Sequence, residues 1–371
     1  MPLGEIIEIL DSQRKPITKR DRVAGPYPYF GATGVLDWVD GFIFDEPLVL
    51  IGEDGAKWGA GENSAFPISG KTWVNNHAHV MRPVRKRVLD DWLIYFLNAA
   101  DLSEFVSGMT VPKLNQGRLR EIPIPLPPLD EQKRIVAILD QAFAALDRAR
   151  ALAEANLADA GALFVQVAQD NLKTIAVKGE MARVGDIADH CLGKMLDKSK
   201  NKGTFRPYLR NINVRWFEVD TSDVLEMRIE DRELDRYQVH KGDLLICEGG
   251  YPGRASIYQS DEPTYFQKAL HRVRFDDESQ AKVLMYWLFV EDKLGRLKDH
   301  FSGTGISHFT GKALAAYPMP VADPATTARA IHNIDKCLEK TTDLVSSYQA
   351  KLTDLANLRQ SLLQTAFSGQ L

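Results

Sequence analysis

The chain is written twice, and this repeat constrains its fold more than any other feature. LGEIIEI (Leu3–Ile9) resembles VGDIADH (Val184–His190), and LVLIGEDG (Leu48–Gly55) resembles LLICEGGY (Leu244–Tyr251). LIYFL (Leu93–Leu97) resembles MYWLF (Met285–Phe289), and SGMTVPKL (Ser107–Leu114) resembles SGTGISHF (Ser302–Phe309). IPIPLPP (Ile122–Pro128) resembles YPMPVAD (Tyr317–Asp323). The pairs keep the same order, so the 371 residues encode one unit used twice, each with its own core.

Each copy has two parts. First come short apolar runs such as PLVLIG, HAHVMR, DLLICEG and LHRVRF, separated by Gly, Pro, Asn and Asp. These predict strands joined by turns. A short amphipathic helix follows in each copy, over Leu89–Ala100 and Ala281–Leu294. Then the proline-rich stretch gives way to a long helix. Asp130 is the expected N-cap, with Glu131 in the first turn, because the prolines before them cannot lie inside a helix. Apolar positions then step by three and four: Leu139, Ala142, Leu146, Ala149, Ala153 and Leu163 in the first copy. Ile334, Leu338, Val345, Tyr348, Leu352, Leu355 and Leu362 do the same in the second. That spacing predicts a seam, on helices of about 40 residues and about 60 Å.

The expected fold is α+β. Mixed α/β domains span 1–128 and 183–322, long helices span 129–170 and 323–371, and a linker spans 171–182. The simplest pairing is an antiparallel coiled coil with pseudo-two-fold symmetry. Packing of each helix on its own domain, or a seam between two copies of the chain, are the alternatives.

Composition excludes several classes. No apolar run approaches the roughly 18 residues of a membrane span, and MPLGEIIEIL lacks the features of a signal peptide. The three cysteines lie far apart, which predicts neither disulfides nor a zinc site and suits the cytoplasm. A net charge of −4 carries no global sign of nucleic-acid binding, so that argument has to be local.

Catalytic motifs are missing. SGKTW (Ser69–Trp73) has part of a phosphate loop, but Ala65 stands where the pattern needs glycine. Asp130–Lys133 reads as a helix start. His77 and His79 alternate, so on a strand they would face the same way; no carboxylate cluster accompanies them in sequence, and no metal is expected. G-x-S-x-G, H-E-x-x-H, G-x-G-x-x-G and N/D-P-P-Y/F are all absent. The chain reads as a binding subunit without catalysis of its own.

The local basic argument is stronger. Cys191–Trp216 carries Lys194, Lys198, Lys200, Lys202 and Arg206 against Asp197, with Tyr208, Asn211 and Asn213 interleaved. Ser12–Gly34 carries Arg14, Lys15, Lys19 and Arg20, and also runs into aromatics. Cations neutralise phosphates, while Asn and Arg can read base edges. Lys57 and Trp58 match Arg254 in the second copy, and Lys113 matches His308. Asn76, His77 and Lys268 complete the DNA-binding candidates.

In combination these segments resemble the DNA specificity subunits of type I restriction–modification systems. The resemblance is carried by PIPLPPLDEQKRIVAIL (Pro123–Leu139), NNHAHVMRP (Asn75–Pro83), SGMTVPKL, GDLLICEGG (Gly242–Gly250) and LRQSLLQTAFSGQL (Leu358–Leu371), and it covers the whole chain. The second junction, VADPATTARAIHNI, departs from the family pattern by losing its acidic-Gln-Arg/Lys core. The resemblance implies two target-recognition domains, each reading half of a bipartite, asymmetric site in double-stranded DNA. It implies spacer helices that dock two modification subunits, which methylate adenine, and motor–nuclease restriction subunits. S-adenosylmethionine, ATP and Mg2+ would be used by those partners, and no cofactor would be bound here. A specificity subunit of another phage-defence complex, or a coiled-coil scaffold with protein-binding ends, are the alternative readings.

Overall fold

The computed structural model describes every residue from Met1 to Leu371 except Met109, Lys198, Lys200 and Thr304. The chain divides into two units, Met1–Glu154 with Gln349–Leu371, and Ala155–Tyr348.

In the first unit the apolar run Leu48–Gly52 is buried throughout and lies inside a four-stranded antiparallel sheet. The strand order is Ile7–Ile9, Ala78–Pro83, Leu48–Gly52, Ala65–Ile68. Side chains alternate across a strand. Leu48 and Leu50 therefore face a second sheet, in a core with Phe44, Val74 and Val80. Val49 and Ile51 face the opposite way, into a core with Trp92 and Leu93 of the short helix Asp90–Ala99 and with Ile135, Leu139 and Leu363 of the long helices. The second sheet runs Gly34–Val39, Ala24–Gly31, Lys71–Val74, Phe44–Asp45. Its central pair is parallel, with Tyr29 opposite Trp73.

The second unit repeats this arrangement strand for strand. Its inner sheet runs Asp189–Leu192, Leu270–Arg274, Leu244–Cys247, Ala255–Ile257. Its outer sheet runs Leu225–Ile229, Thr204–Leu209, Thr264–Phe266, Gln238–Val239, again with a parallel central pair and Tyr208 opposite Tyr265. Leu245 and Cys247 face the outer sheet, while Leu244 and Ile246 face the helices.

The proline stretches close each copy upon its own start. Pro123 bridges Pro2, and the Leu3 N–H donates to the Ile122 carbonyl at 2.8 Å. In the second copy Pro318–Val321 pairs with Glu180–Arg183. Prolines lack the N–H a central strand would need, so these two-stranded edges suit them.

Three boundaries differ from the sequence reading. The first long helix covers Leu129–Lys178 and the next strand begins at Glu180, so 171–182 is no linker. Leu172 and Ile175 explain the extension, because both are fully buried in the second unit's core. Gly179 permits the abrupt change of direction: a Cβ there would lie 1.8 Å from the Val321 carbonyl oxygen. Asp130 is no N-cap; it lies within the first turn and pairs with Lys133 at 3.1 Å. The second helix, Pro324–Phe367, is the capped one, with Asp323 accepting from Ala325 N and Thr326 N at 3.0 Å each.

Candidate nucleic-acid interface

Each copy centres on a histidine of the inner sheet. His79 is almost completely buried, with Nε2 2.6 Å from the Leu114 carbonyl oxygen and Nδ1 2.5 Å from Asp11. Asp11 and Glu53 stand beside it, carboxylates that sequence proximity could not reveal because they come from distant segments. Arg14 bonds Glu53 at 2.5 Å and lies 3.4 Å from Asp11, and Lys113 bonds Glu53 at 2.9 Å. Burial opposes ionisation of both carboxyls. Bonds from His79 and Val80 N, with the Arg14 charge, outweigh it at Asp11; bonds from Arg14 and Lys113 outweigh it at Glu53. Both pKa values therefore fall below their ordinary range. The cations that this acidic cluster needs are the protein's own.

His77 departs from the expected shared strand face. It lies in the turn before the strand, exposed, with Nδ1 on Asp54. In the second copy His271 is the counterpart of His79. Its Nε2 lies 2.8 Å from the Phe309 carbonyl oxygen, but Nδ1 has no hydrogen-bond partner among the described residues, and burial lowers its pKa to about 4. The loops that the sequence matched are thus held identically: Leu114 N donates to Glu53 O and Phe309 N to Glu248 O, both at 2.8 Å.

Several DNA-binding candidates are internal supports, which corrects their sequence assignment. Arg14 is committed to Glu53, Asp11 and the Ala78 carbonyl. Trp58 is 7% exposed, its indole N–H donating to Gly52 O at 3.0 Å. Lys194 is buried against Glu233 at 2.6 Å, and Tyr208 lies in a core with Met227 and Ile229. Asn213 is buried and bonds the carbonyls of Asp220 and Asp223 at 2.9 Å. Asn211 and Arg254 brace each other's loops, Arg254 Nη2 donating to Asn211 O at 2.9 Å. Sequence spacing shows that these residues are polar or aromatic, but not which way they point.

Others are available at the surface. Lys15, Lys19, Arg20, Lys57, Asn76, Lys202 and Lys268 are exposed. Lys113, Arg206 and His308 are half-buried. Lys198 and Lys200 lie outside the described residues.

Residues 1–156 match the family model of the type I restriction modification DNA specificity domain. A putative type I restriction enzyme specificity subunit of Haemophilus influenzae is 29% identical over 293 residues, covering 78% of this chain and 74% of that one. The EcoKI specificity subunit of Escherichia coli K12 is 21% identical over 356 residues, covering 89% of this chain and 75% of that one. A solved chain from work on assembly and conformational transition of the type I restriction–modification system has the same fold, with TM-score 0.73 at 16% identity over 100% of this chain and 97% of that one. The HsdS subunit of Thermoanaerobacter tengcongensis gives a TM-score of 0.52 at 16% identity, over 100% of this chain and 96% of that one.

Residues 1–156 thus carry a type I restriction modification DNA specificity domain, and the chain at large is similar to the specificity subunits of type I restriction–modification systems.

Two outward aromatic side chains, Trp38 and Phe205, were not among the DNA-binding candidates drawn from the sequence. Trp38 is 54% exposed on the edge strand of the first outer sheet. Phe205 is 54% exposed on the second, with the Arg228 guanidinium 4.5 Å above its ring. The available signal was an aromatic residue at a strand position facing away from the core. No helix among the described residues is long and apolar enough to cross a membrane.

Proposed function

We propose that this chain binds double-stranded DNA and that each copy reads one half of a bipartite, asymmetric site. The observation that carries the reading is the strand-for-strand repetition of one scaffold with different side chains on its outer surface. Two like domains can grip two half-sites in the same way, and unlike surfaces make the halves differ in sequence. Exposed Lys15, Lys19, Arg20 and Lys202 would supply phosphate contacts.

The long helices would pair as an antiparallel coiled coil and dock two modification subunits, which methylate adenine. Asp147 meets Arg359 at 2.8 Å in one unit, and Asn171 meets Asn333 at 3.1 Å in the other. Positions that rise along one helix while falling along the other support antiparallel pairing. The subunit would be non-catalytic and cytoplasmic. S-adenosylmethionine would serve the modification subunits, while ATP and Mg2+ would serve the motor–nuclease subunits. The half-sites would lie roughly one helical turn apart, so that both domains bind one side of the duplex.

The test is methylome sequencing of a host expressing this chain with its modification subunit. A split motif with methylated adenine in each half is the expected result. An assembled complex that leaves DNA unmethylated would remove the reading.

A further inference from the structure

The duplication allows a comparison within one chain. In both outer sheets the scaffold positions agree. Tyr29 and Tyr208 are buried at equal places in the central parallel pair. Pro28 and Pro207 precede them, and Val39 and Met227 are buried on the neighbouring edge strand. One residue before these last two, the copies diverge. Trp38 lies opposite Pro28, whereas Glu226 lies opposite Pro207. Both Trp38 and Glu226 are exposed.

The second copy builds more around this place. Arg228, two residues along the strand from Glu226, is paired in register with Phe205 and has its guanidinium over that ring. Residues two apart on a strand point to the same side. One Arg228 nitrogen donates to Gly203 O at 3.2 Å; its other N–H groups, and the Glu226 carboxylate, have no hydrogen-bond or ion-pair partner among the described residues. A cavity of about 610 Å³ opens here, lined by Leu196, Phe205, Leu225, Glu226 and Arg228 among others. Lys202 is exposed nearby in sequence, and Arg206 is half-buried on the same strand as Phe205. Stacking on an aromatic ring holds a planar guanidinium in place and leaves its edge free to donate.

Resting on the reading that the copies contact DNA, we infer that Arg228 and Glu226 are specificity-determining residues of the second copy, and that its half-site contains a G·C pair. Arg228 donates to guanine O6 and N7, and Glu226 accepts from cytosine N4. Phe205 holds Arg228 in position. Trp38 gives the first copy no equivalent charged reader, so the two halves are read by different chemistry on one scaffold.

The experiment compares methylomes of the wild-type complex and complexes carrying Arg228→Lys, Arg228→Ala or Glu226→Gln. Lysine keeps the charge but loses the two-pronged fork, so a phosphate contact and a base contact respond differently. Expected is a relaxed motif at one G·C position of one half, with discrimination falling about 5- to 150-fold and the other half unchanged. An unaltered motif in every variant overturns the assignment while leaving DNA reading intact. Uniform weakening across all sequences overturns it in favour of a phosphate contact. Loss of methylation together with loss of the copurifying modification subunit overturns it in favour of a protein contact. A wild-type complex that assembles but methylates nothing overturns both readings at once.

Discussion

His79 and His271 occupy one place in two copies under opposite electrostatics. His79 has Asp11 on its second nitrogen; His271 has no hydrogen-bond partner there among the described residues, and burial lowers its pKa from the ordinary 6.5 to about 4. In the unfolded chain His271 takes up a proton as pH falls through 6.5, while in the folded chain it stays neutral. Its contribution to stability is therefore complete above pH 6.5 and is lost between 6.5 and about 4. Denaturant titrations should show a loss of roughly 2 kcal/mol between pH 6.5 and 5 that His271→Gln abolishes. An equal slope in the variant would refute it. Asp11 and Glu53 do not contribute in this window. Their folded pKa values lie below the ordinary 3.8 and 4.5, so their stabilisation is lost only as the pH falls further. The strand that carries His79 was legible in the run HAHVMR. The partners of His79 were not, because Asp11 and Glu53 reach it through sheet pairing from 68 and 26 residues away (79 less 11, 79 less 53).

At the scale of elements, the long helices were the most legible part of the chain. Every seam position expected on the second helix is buried or half-buried: Ile334, Leu338, Val345, Tyr348, Leu352, Leu355 and Leu362. On the first, Leu139, Ala142, Leu146, Ala149 and Ala153 also face inward, but Leu163 is a correction at 52% exposed. The buried face there runs instead through Ala160, Phe164, Ala168 and Leu172. A straight helix drifts against a seven-residue repeat, and Phe164 is drawn into an aromatic group with Phe217, Tyr286 and Phe289. Phe164→Ala should therefore destabilise the chain by about 3–5 kcal/mol, while Leu163→Ala should change it by no more than about 0.5 kcal/mol. Chemical denaturation of the two variants separates them, and comparable losses would restore the original seam.

At the scale of the molecule, the repeat predicted two similar domains, and the matched strand orders are those domains. What the repeat could not show is which candidates face outward, since burial depends on pairings made far along the chain. Exchanging Met1–Pro128 for the corresponding segment of another specificity subunit should change one half of the methylated motif and leave the other intact. A change in both halves, measured by methylome sequencing, would contradict independent reading by the two copies.

The division of the chain also orders its maturation on the ribosome. The second unit is one continuous stretch, Ala155–Tyr348, whereas the first includes Gln349–Leu371. Phe367 from that last stretch packs edge-on against Trp92 and Phe96, and Leu363 and Ala366 join the same core. The half translated first is therefore completed last. At elongation rates of about 5–20 residues per second it waits on the order of ten seconds or more for its closing piece. During that wait the apolar face of its short helix is the surface most in need of a chaperone.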